Sequence, residues 1–123
     1  MKVREVMTRV VLTAAAGTTI GEAASLMAQR RVGSALVMEG ESLLGIFTER
    51  DIVKALSQDG AAVQQAIGHW MTRGPQAVAP DATTDEALRR MVDGGFRHLP
   101  VLEGGRVVGM LSMRDLSRAR LSE

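Results

Sequence analysis

The sequence predicts an α+β fold in which two similar β-α-β-β-α units pack sheet to sheet. The first observation is a repeat: Met7-Thr8-Arg9 returns as Met71-Thr72-Arg73, so the second copy lies 71 − 7 = 64 residues after the first. The second is that each copy has apolar residues at helical spacing, followed by two apolar runs joined by a glycine turn, a pattern typical of a helix and a β-hairpin. The third is that one copy, of about 55 residues, is only marginally stable alone. We therefore expect the two copies to share one core.

The repeat continues without a gap as far as the last helix of each copy. The same spacing relates Glu22-Ala23 to Glu86-Ala87, Met27 to Met91, Val37 to Val101, Glu39-Gly40 to Glu103-Gly104, Gly45 to Gly109 and Arg50-Asp51 to Arg114-Asp115. Repeats of this length indicate a duplicated structural unit. We predict a first domain over residues 1–60 and a second over residues 61–123.

The first copy begins with an apolar run at 10–12 that predicts a short strand. Thr19 and Glu22 match a capping box and predict that a helix begins there. One face of this helix carries apolar residues at the spacing i, i+3, i+4, i+7, namely Ile20, Ala23, Ala24 and Met27. Residues 35–38 and 43–47 predict two strands joined by a tight turn at 39–41, and residues 49–56 predict a second helix.

The second copy predicts the same elements in the same order. We expect a strand at 77–79, a helix at 85–92 capped by Thr83 or Thr84, strands at 98–102 and 106–111, and a helix at 113–121. Because the turn at 103–105 is short, the two strands that it joins should be antiparallel. Residues 61–69 predict a linking helix that begins the second copy.

Composition excludes several classes of protein. Hydrophobic residues make up 46% and charged residues 24%, as in an average globular protein. A net charge of +1 gives no sign of a nucleic-acid partner or of an anionic membrane surface. The absence of cysteine excludes disulfides and thiolate chemistry, and with aromatic residues at 2% the core should be aliphatic. The apolar run at 10–16 is too short to span a bilayer, and residues 1–5 do not resemble a secretory signal, so we expect a cytoplasmic protein.

The last strand and last helix of each copy meet in a shared motif. It reads Gly45-Ile46-Phe47-Thr48-Glu49-Arg50-Asp51 in the first copy, and it returns 64 residues later with Ser112 and Asp115 in the places of Thr48 and Asp51. One interpretation is a helix cap, because a hydroxyl followed three residues later by a carboxylate is a common helix start. The other is a ligand site, in which the helix N-terminus and the hydroxyl bind a phosphate, the carboxylate accepts hydrogen bonds from ribose hydroxyls, and the glycine permits close backbone approach.

The duplicated unit and this motif resemble the CBS domain, named after cystathionine β-synthase, and Arg97-His98-Leu99-Pro100-Val101 is similar to that family's second strand. The resemblance implies a tandem pair, or Bateman module, with two clefts between its units. Such clefts bind AMP, ADP or ATP, or another adenosyl ligand such as S-adenosylmethionine or NADH. It implies one site made of Thr48, Asp51, Thr72, Gln76, Arg97 and His98, and a second made of Ser112, Asp115, Thr8, Leu12, Ser34 and Ala35.

The roles of these residues also follow from the resemblance. Asp51 and Asp115 should bind ribose, Thr48 and Ser112 should face the phosphate, and Arg97 and His98 should neutralise its charge. We do not expect this chain to be an enzyme, because its sequence contains no nucleophile motif, P-loop or cluster of metal ligands. The leading hypothesis is a stand-alone regulatory module that forms a homodimer, binds an adenine nucleotide and signals to an effector protein in trans. The alternative is a dimerisation or interaction module with vestigial clefts.

Overall fold

Four helices and six strands form the part of the chain that the computed structural model describes, residues 1–122. In chain order they are β1 (Thr13–Ala14), α1 (Ile20–Arg30), β2 (Ser34–Glu39), β3 (Ser42–Thr48), α2 (Glu49–Gln58), β4 (Thr72–Arg73), α3 (Thr84–Gly94), β5 (His98–Glu103), β6 (Arg106–Ser112) and α4 (Met113–Leu121). Three short 3-10 turns lie at Val3–Glu5, Ala62–Gln64 and Ile67–His69. The α+β class expected from the sequence is confirmed.

The chain divides into two packing units whose boundaries differ from those of the sequence repeat. The central unit is Leu12–Pro75; the split unit combines Met1–Val11 with the chain from Gln76 onward. The predicted domains, 1–60 and 61–123, follow the repeat, whereas each packing unit also takes a segment from the other copy. In the split unit this segment brings Val3, which is fully buried among residues of the second copy.

The central unit contains a four-stranded sheet in the order β1-β2-β3-β4. Strands β2 and β3 form an antiparallel hairpin, as predicted, whose turn contains Gly40 at a φ of 59°. That positive φ suits glycine, which pays no Cβ penalty there. Strand β1 pairs with β2 in parallel, and β4 pairs with β3 antiparallel.

The split unit repeats this topology with shorter outer pairings. Strands β5 and β6 form the antiparallel hairpin. On its two sides lie isolated bridges, Val78 with Val101 in parallel and Thr8 with Met110 antiparallel. These bridges stand 64 residues from the pairs Ala14 with Val37 and Ile46 with Thr72 of the central unit. The duplication is therefore kept in the pairing register as well as in the sequence.

Three predicted elements were wrong. The strand expected at 10–12 lies later, at Thr13–Ala14, and the strand expected at 77–79 is only a single bridge at Val78. The linking helix expected at 61–69 is replaced by two 3-10 turns. Its backbone N–H groups do not all bond within a helix, because Ile67 N donates to Thr18 O at 2.8 Å and Gly68 N donates to Ala16 O at 2.9 Å.

Each unit has its own hydrophobic core, which is mainly aliphatic as expected. In the central unit the predicted helix face is buried at Ile20, Ala23 and Met27, and it packs with Phe47 and residues of the sheet. Trp70 is partly buried against this core, and its Nε1 donates to Gln65 Oε1 at 2.9 Å. The core of the split unit consists of Val3, Val78, Ala87, Met91, Leu99, Val101 and Leu111.

The N-terminal segment is bound to the split unit by backbone and by charge. Val3 N donates to Ala82 O and Arg4 N donates to Pro80 O, both at 2.9 Å. The Arg4 guanidinium pairs with the Asp81 carboxylate, and Lys2 Nζ lies 3.5 Å from the same oxygen. The hydrogen bond from Arg4, followed by its charge, lowers the pKa of Asp81 below its usual value of 3.8.

This ion pair predicts a small pH dependence of stability. A carboxyl with a lowered pKa in the folded state stabilises the protein above its unfolded pKa, and the contribution is lost as the pH falls through the folded pKa. Asp81→Asn should therefore lower the melting temperature slightly at pH 7 and have less effect at pH 3, measured by circular dichroism. The effect is expected to be small because both side chains are exposed. Equal effects at the two pH values would contradict this assignment.

Candidate functional site

In the central unit, the shared motif forms the junction between β3 and α2. Thr48 is the N-cap of α2, and its backbone N donates to Asp51 Oδ2 at 2.8 Å. The Thr48 hydroxyl donates to the same carboxylate oxygen at 3.2 Å and accepts from Asp51 N at 3.4 Å. Asp51 is only 7% exposed, so its carboxylate is fixed by these bonds in a largely water-excluded position. The interpretation as a helix cap is confirmed.

The equivalent junction in the split unit has one additional partner. Ser112 N donates to Asp115 Oδ2 at 2.8 Å, and Asp115 N donates to Ser112 Oγ at 3.1 Å. The second carboxylate oxygen, Asp115 Oδ1, accepts from the Thr8 hydroxyl at 3.4 Å. The structure therefore brings together three of the predicted site residues, one of which comes from the N-terminal segment.

The glycine of each motif permits the close approach of a second segment of the chain, whereas the interpretation from the sequence assigned this approach to a ligand. A Cβ on Gly45 would lie 2.6 Å from Thr72 O and 2.8 Å from Met71 Sδ. A Cβ on Gly109 would lie 2.7 Å from Met7 Sδ and 2.8 Å from Thr8 O. Real side chains do not tolerate such distances, so the glycine admits the Met-Thr segment beside the sheet. The signal was present, because Met-Thr-Arg and the glycine recur at the same spacing.

A strand start flanks each of the two helix starts. In the central unit Ser34 pairs with Thr48 in the β-ladder, and Gly33 O accepts from Glu49 N at 3.1 Å. In the split unit His98 pairs with Ser112, and Arg97 O accepts from Met113 N at 2.9 Å. The start of α4 is thus flanked by an exposed arginine and a half-buried histidine, whereas the start of α2 is flanked by glycine and serine.

The predicted site residues fall into two groups by unit. Those in the central unit are Leu12, Ser34, Ala35, Thr48, Asp51 and Thr72, and those in the split unit are Thr8, Gln76, Arg97, His98, Ser112 and Asp115. Each predicted site combines residues of both groups, and that combination stays a prediction. Leu12 and Ala35 are buried in the core of the central unit, while Thr72, Gln76 and Arg97 are exposed.

Two other classes of site were sought in the described chain. Among residues 1–122 there is no group of three or more histidine, cysteine, aspartate or glutamate residues that could hold a metal ion. No helix in the same range is long and apolar enough to cross a membrane.

The repeated unit of this chain matches a known protein family. A family model described as CBS domain matches residues 3–58 and 67–122. The Uncharacterized 17.7 kDa protein in bps2 3'region of Acidianus ambivalens is 38% identical over 122 residues, which are 98% of this chain and 73% of that protein. The CBS domain-containing protein CBSCBSPB1 of Arabidopsis thaliana is 41% identical over 83% of this chain, which spans only 19% of the plant protein.

Solved structures are similar to this chain over nearly its full length. The CBS-domain containing protein ATU1752 from Agrobacterium tumefaciens has a TM-score of 0.94 and 37% identity, with 98% of this chain and 99% of that chain covered. The CBS domain protein PAE2072 from Pyrobaculum aerophilum, complexed with AMP, has a TM-score of 0.88 and 27% identity. The match covers 99% of this chain and 96% of that chain. The CBS domain pair of protein MJ0100, in complex with 5'-methylthioadenosine and S-adenosyl-L-methionine, has a TM-score of 0.90 and 27% identity. The match covers 99% of this chain and 97% of that chain.

Proposed function

Because the chain belongs to the CBS domain family, with two such domains over residues 3–58 and 67–122, we propose that it is a regulatory module that binds AMP, ADP or ATP. The observation that carries the proposal is the duplicated helix start, where the same reciprocal cap joins a hydroxyl residue and an aspartate in both units. Thr48 with Asp51 and Ser112 with Asp115 have the same donor–acceptor geometry. A structural cap alone needs only one oxygen of each carboxylate.

The geometry suits a nucleoside with a phosphate. An ionised carboxylate only accepts hydrogen bonds and has about four lone-pair positions on its two oxygens. The cap uses one oxygen of Asp51 or Asp115, so the other is able to accept from the two hydroxyls of a ribose. The hydroxyls of Thr48 and Ser112 stand at the N-termini of α2 and α4. There the positive end of the helix dipole favours a phosphate.

The ligands of similar proteins support an adenosyl compound in particular. PAE2072 is complexed with AMP, and the MJ0100 pair binds 5'-methylthioadenosine and S-adenosyl-L-methionine. All three compounds contain an adenine and a ribose with two free hydroxyls, which is the part that Asp51 and Asp115 would bind. They differ at the ribose 5' position, where the charge of a phosphate or a sulfonium distinguishes them.

Binding and melting measurements test this function. Titration calorimetry with AMP, ADP, ATP, 5'-methylthioadenosine and S-adenosylmethionine should show saturable binding of at least one adenine nucleotide. A free ligand concentration 100-fold above its dissociation constant should stabilise the fold by about 2.7 kcal/mol and raise the melting temperature. After prolonged incubation the nucleotide should be recovered unchanged, because the proposed module is not an enzyme. If none of the three adenine nucleotides binds at millimolar concentration, the proposal is wrong.

The output of such a module requires a partner, and we propose a homodimer that acts on an effector protein in trans. Helix α2 carries two exposed apolar side chains one turn apart, Val53 at 67% and Leu56 at 41% exposure. Side chains of this kind favour association with a second copy. Size-exclusion chromatography with light scattering should give the mass of two chains, each of 13.2 kDa. The mass of a single chain would contradict the dimer.

A further inference from the structure

Asp115 has two different partners in the split unit. Its Oδ2 accepts from Ser112 N at 2.8 Å, which is the bond of the helix cap. Its Oδ1 accepts from the hydroxyl of Thr8 at 3.4 Å. Thr8 is distant in sequence and belongs to segment 7–9, the first Met-Thr-Arg. Asp115 therefore fixes the start of α4 with one oxygen and contacts the N-terminal segment with the other.

Segment 7–9 has fewer backbone pairings than its counterpart in the central unit. Thr8 and Met110 exchange two backbone hydrogen bonds of 2.9 Å, which form an isolated bridge. The counterpart, β4, has two consecutive ladder pairs with β3 instead. With a single bridge, the side-chain bond from Thr8 to Asp115 is a larger share of what holds segment 7–9 in place.

The oxygen that Thr8 contacts is also the one that the helix cap leaves for a ligand. We propose that Asp115 Oδ1 exchanges its bond with Thr8 for a bond with a ribose hydroxyl, so that nucleotide binding loosens segment 7–9. This inference rests on the proposed function. By thermodynamic linkage the effect is reciprocal: the bond to Thr8 weakens nucleotide binding by the same factor by which the nucleotide loosens the segment. Two residues after segment 7–9 the chain leaves the split unit at Val11.

The test compares Thr8→Val, which keeps the branched shape and removes the hydroxyl, with the matched variant Thr72→Val. Without ligand, Thr8→Val should raise the exchange rates of the Thr8 and Met110 amides about two- to fivefold, measured by NMR, as expected for one modest hydrogen bond. It should also tighten AMP binding about two- to fivefold in calorimetry, because AMP no longer competes with Thr8. Thr72→Val should leave these two amides unchanged.

The wild-type chain provides a second measurement. Saturating AMP should raise the exchange rate of the Met110 amide relative to the Leu102 amide, which donates to Val78 O in the same unit. Weaker AMP binding by Thr8→Val would show that Thr8 contacts the ligand directly, and this result would overturn the inference alone. The inference would also be overturned if Thr8→Val changed neither the affinity for AMP nor the exchange rates of the Thr8 and Met110 amides. If the wild-type protein binds none of AMP, ADP and ATP, the proposed function fails and the inference fails with it.

Discussion

Removal of residues 1–11 is expected to unfold the split unit and to leave the central unit folded. The deletion removes the fully buried Val3, the backbone bonds to Ala82 and Pro80, and the bridge from Thr8 to Met110. Since whole domains are stable by only about 5–15 kcal/mol, a small unit cannot lose this much of its core. The NMR amide signals of β5 and β6 should lose the chemical-shift dispersion of a folded protein. The fluorescence of Trp70, the only tryptophan, should stay that of a folded protein.

A point substitution at Val3 should destabilise the split unit in the same way, but by less than the deletion. Val3→Ala should cost about 1.5–3 kcal/mol, because it removes two buried methyl groups from the core. Val10→Ala is the matched control, since Val10 is 80% exposed and its substitution should change little. Chemical denaturation followed at amides of both units measures the two variants. If Val3→Ala destabilised only the central unit, the assignment of residues 1–11 to the split unit would be contradicted.

Replacement of the two aspartates by asparagine is the second large effect that we expect. Asparagine keeps an oxygen that can accept from Thr48 N or Ser112 N, but it removes the charge. A hydrogen bond to a charged group contributes about 1.5–3 kcal/mol, so Asp51→Asn and Asp115→Asn should each weaken AMP binding at the affected site by about tenfold or more. The double variant should show no binding in the range where wild type saturates, measured by titration calorimetry.

The chain itself supplies the control for this experiment. Glu22 forms a capping box of the same type with Thr19, where Thr19 N donates to Glu22 Oε1 at 3.0 Å. Glu22→Gln therefore alters a helix cap at a place where no ligand is proposed, and it should leave the AMP affinity unchanged. If both aspartate variants bind AMP as tightly as wild type, the carboxylates serve only as caps.

Local patterns predicted most of the fold. The capping boxes at Thr19 and Thr48 depend on residues three apart, and the hairpins depend on short turns, so neighbouring residues determine them. The hydroxyl and carboxylate of the candidate site could be located for the same reason. Their first role, the cap, follows from spacing alone, whereas a ligand role needs information from outside the chain.

The features that the sequence did not predict depend on distant residues. The segment at 61–69 resembles a helix locally, but Ile67 and Gly68 donate to the carbonyls of Thr18 and Ala16, which lie about fifty residues earlier. The close approach of Met7 to Gly109 is also nonlocal, and a repeat shows only that both residues recur. Repeat boundaries mark where similarity begins, and they do not determine which segments complete a sheet.

The division at residues 11 and 75 means that one unit is built from two separate stretches of the chain, whereas the other is continuous. A circular permutant that starts at Leu12, with a flexible peptide joining residue 123 to Met1, would place two uninterrupted modules one after the other along the chain. The order of the segments in this chain is thus a circular permutation of a simple tandem array of two units.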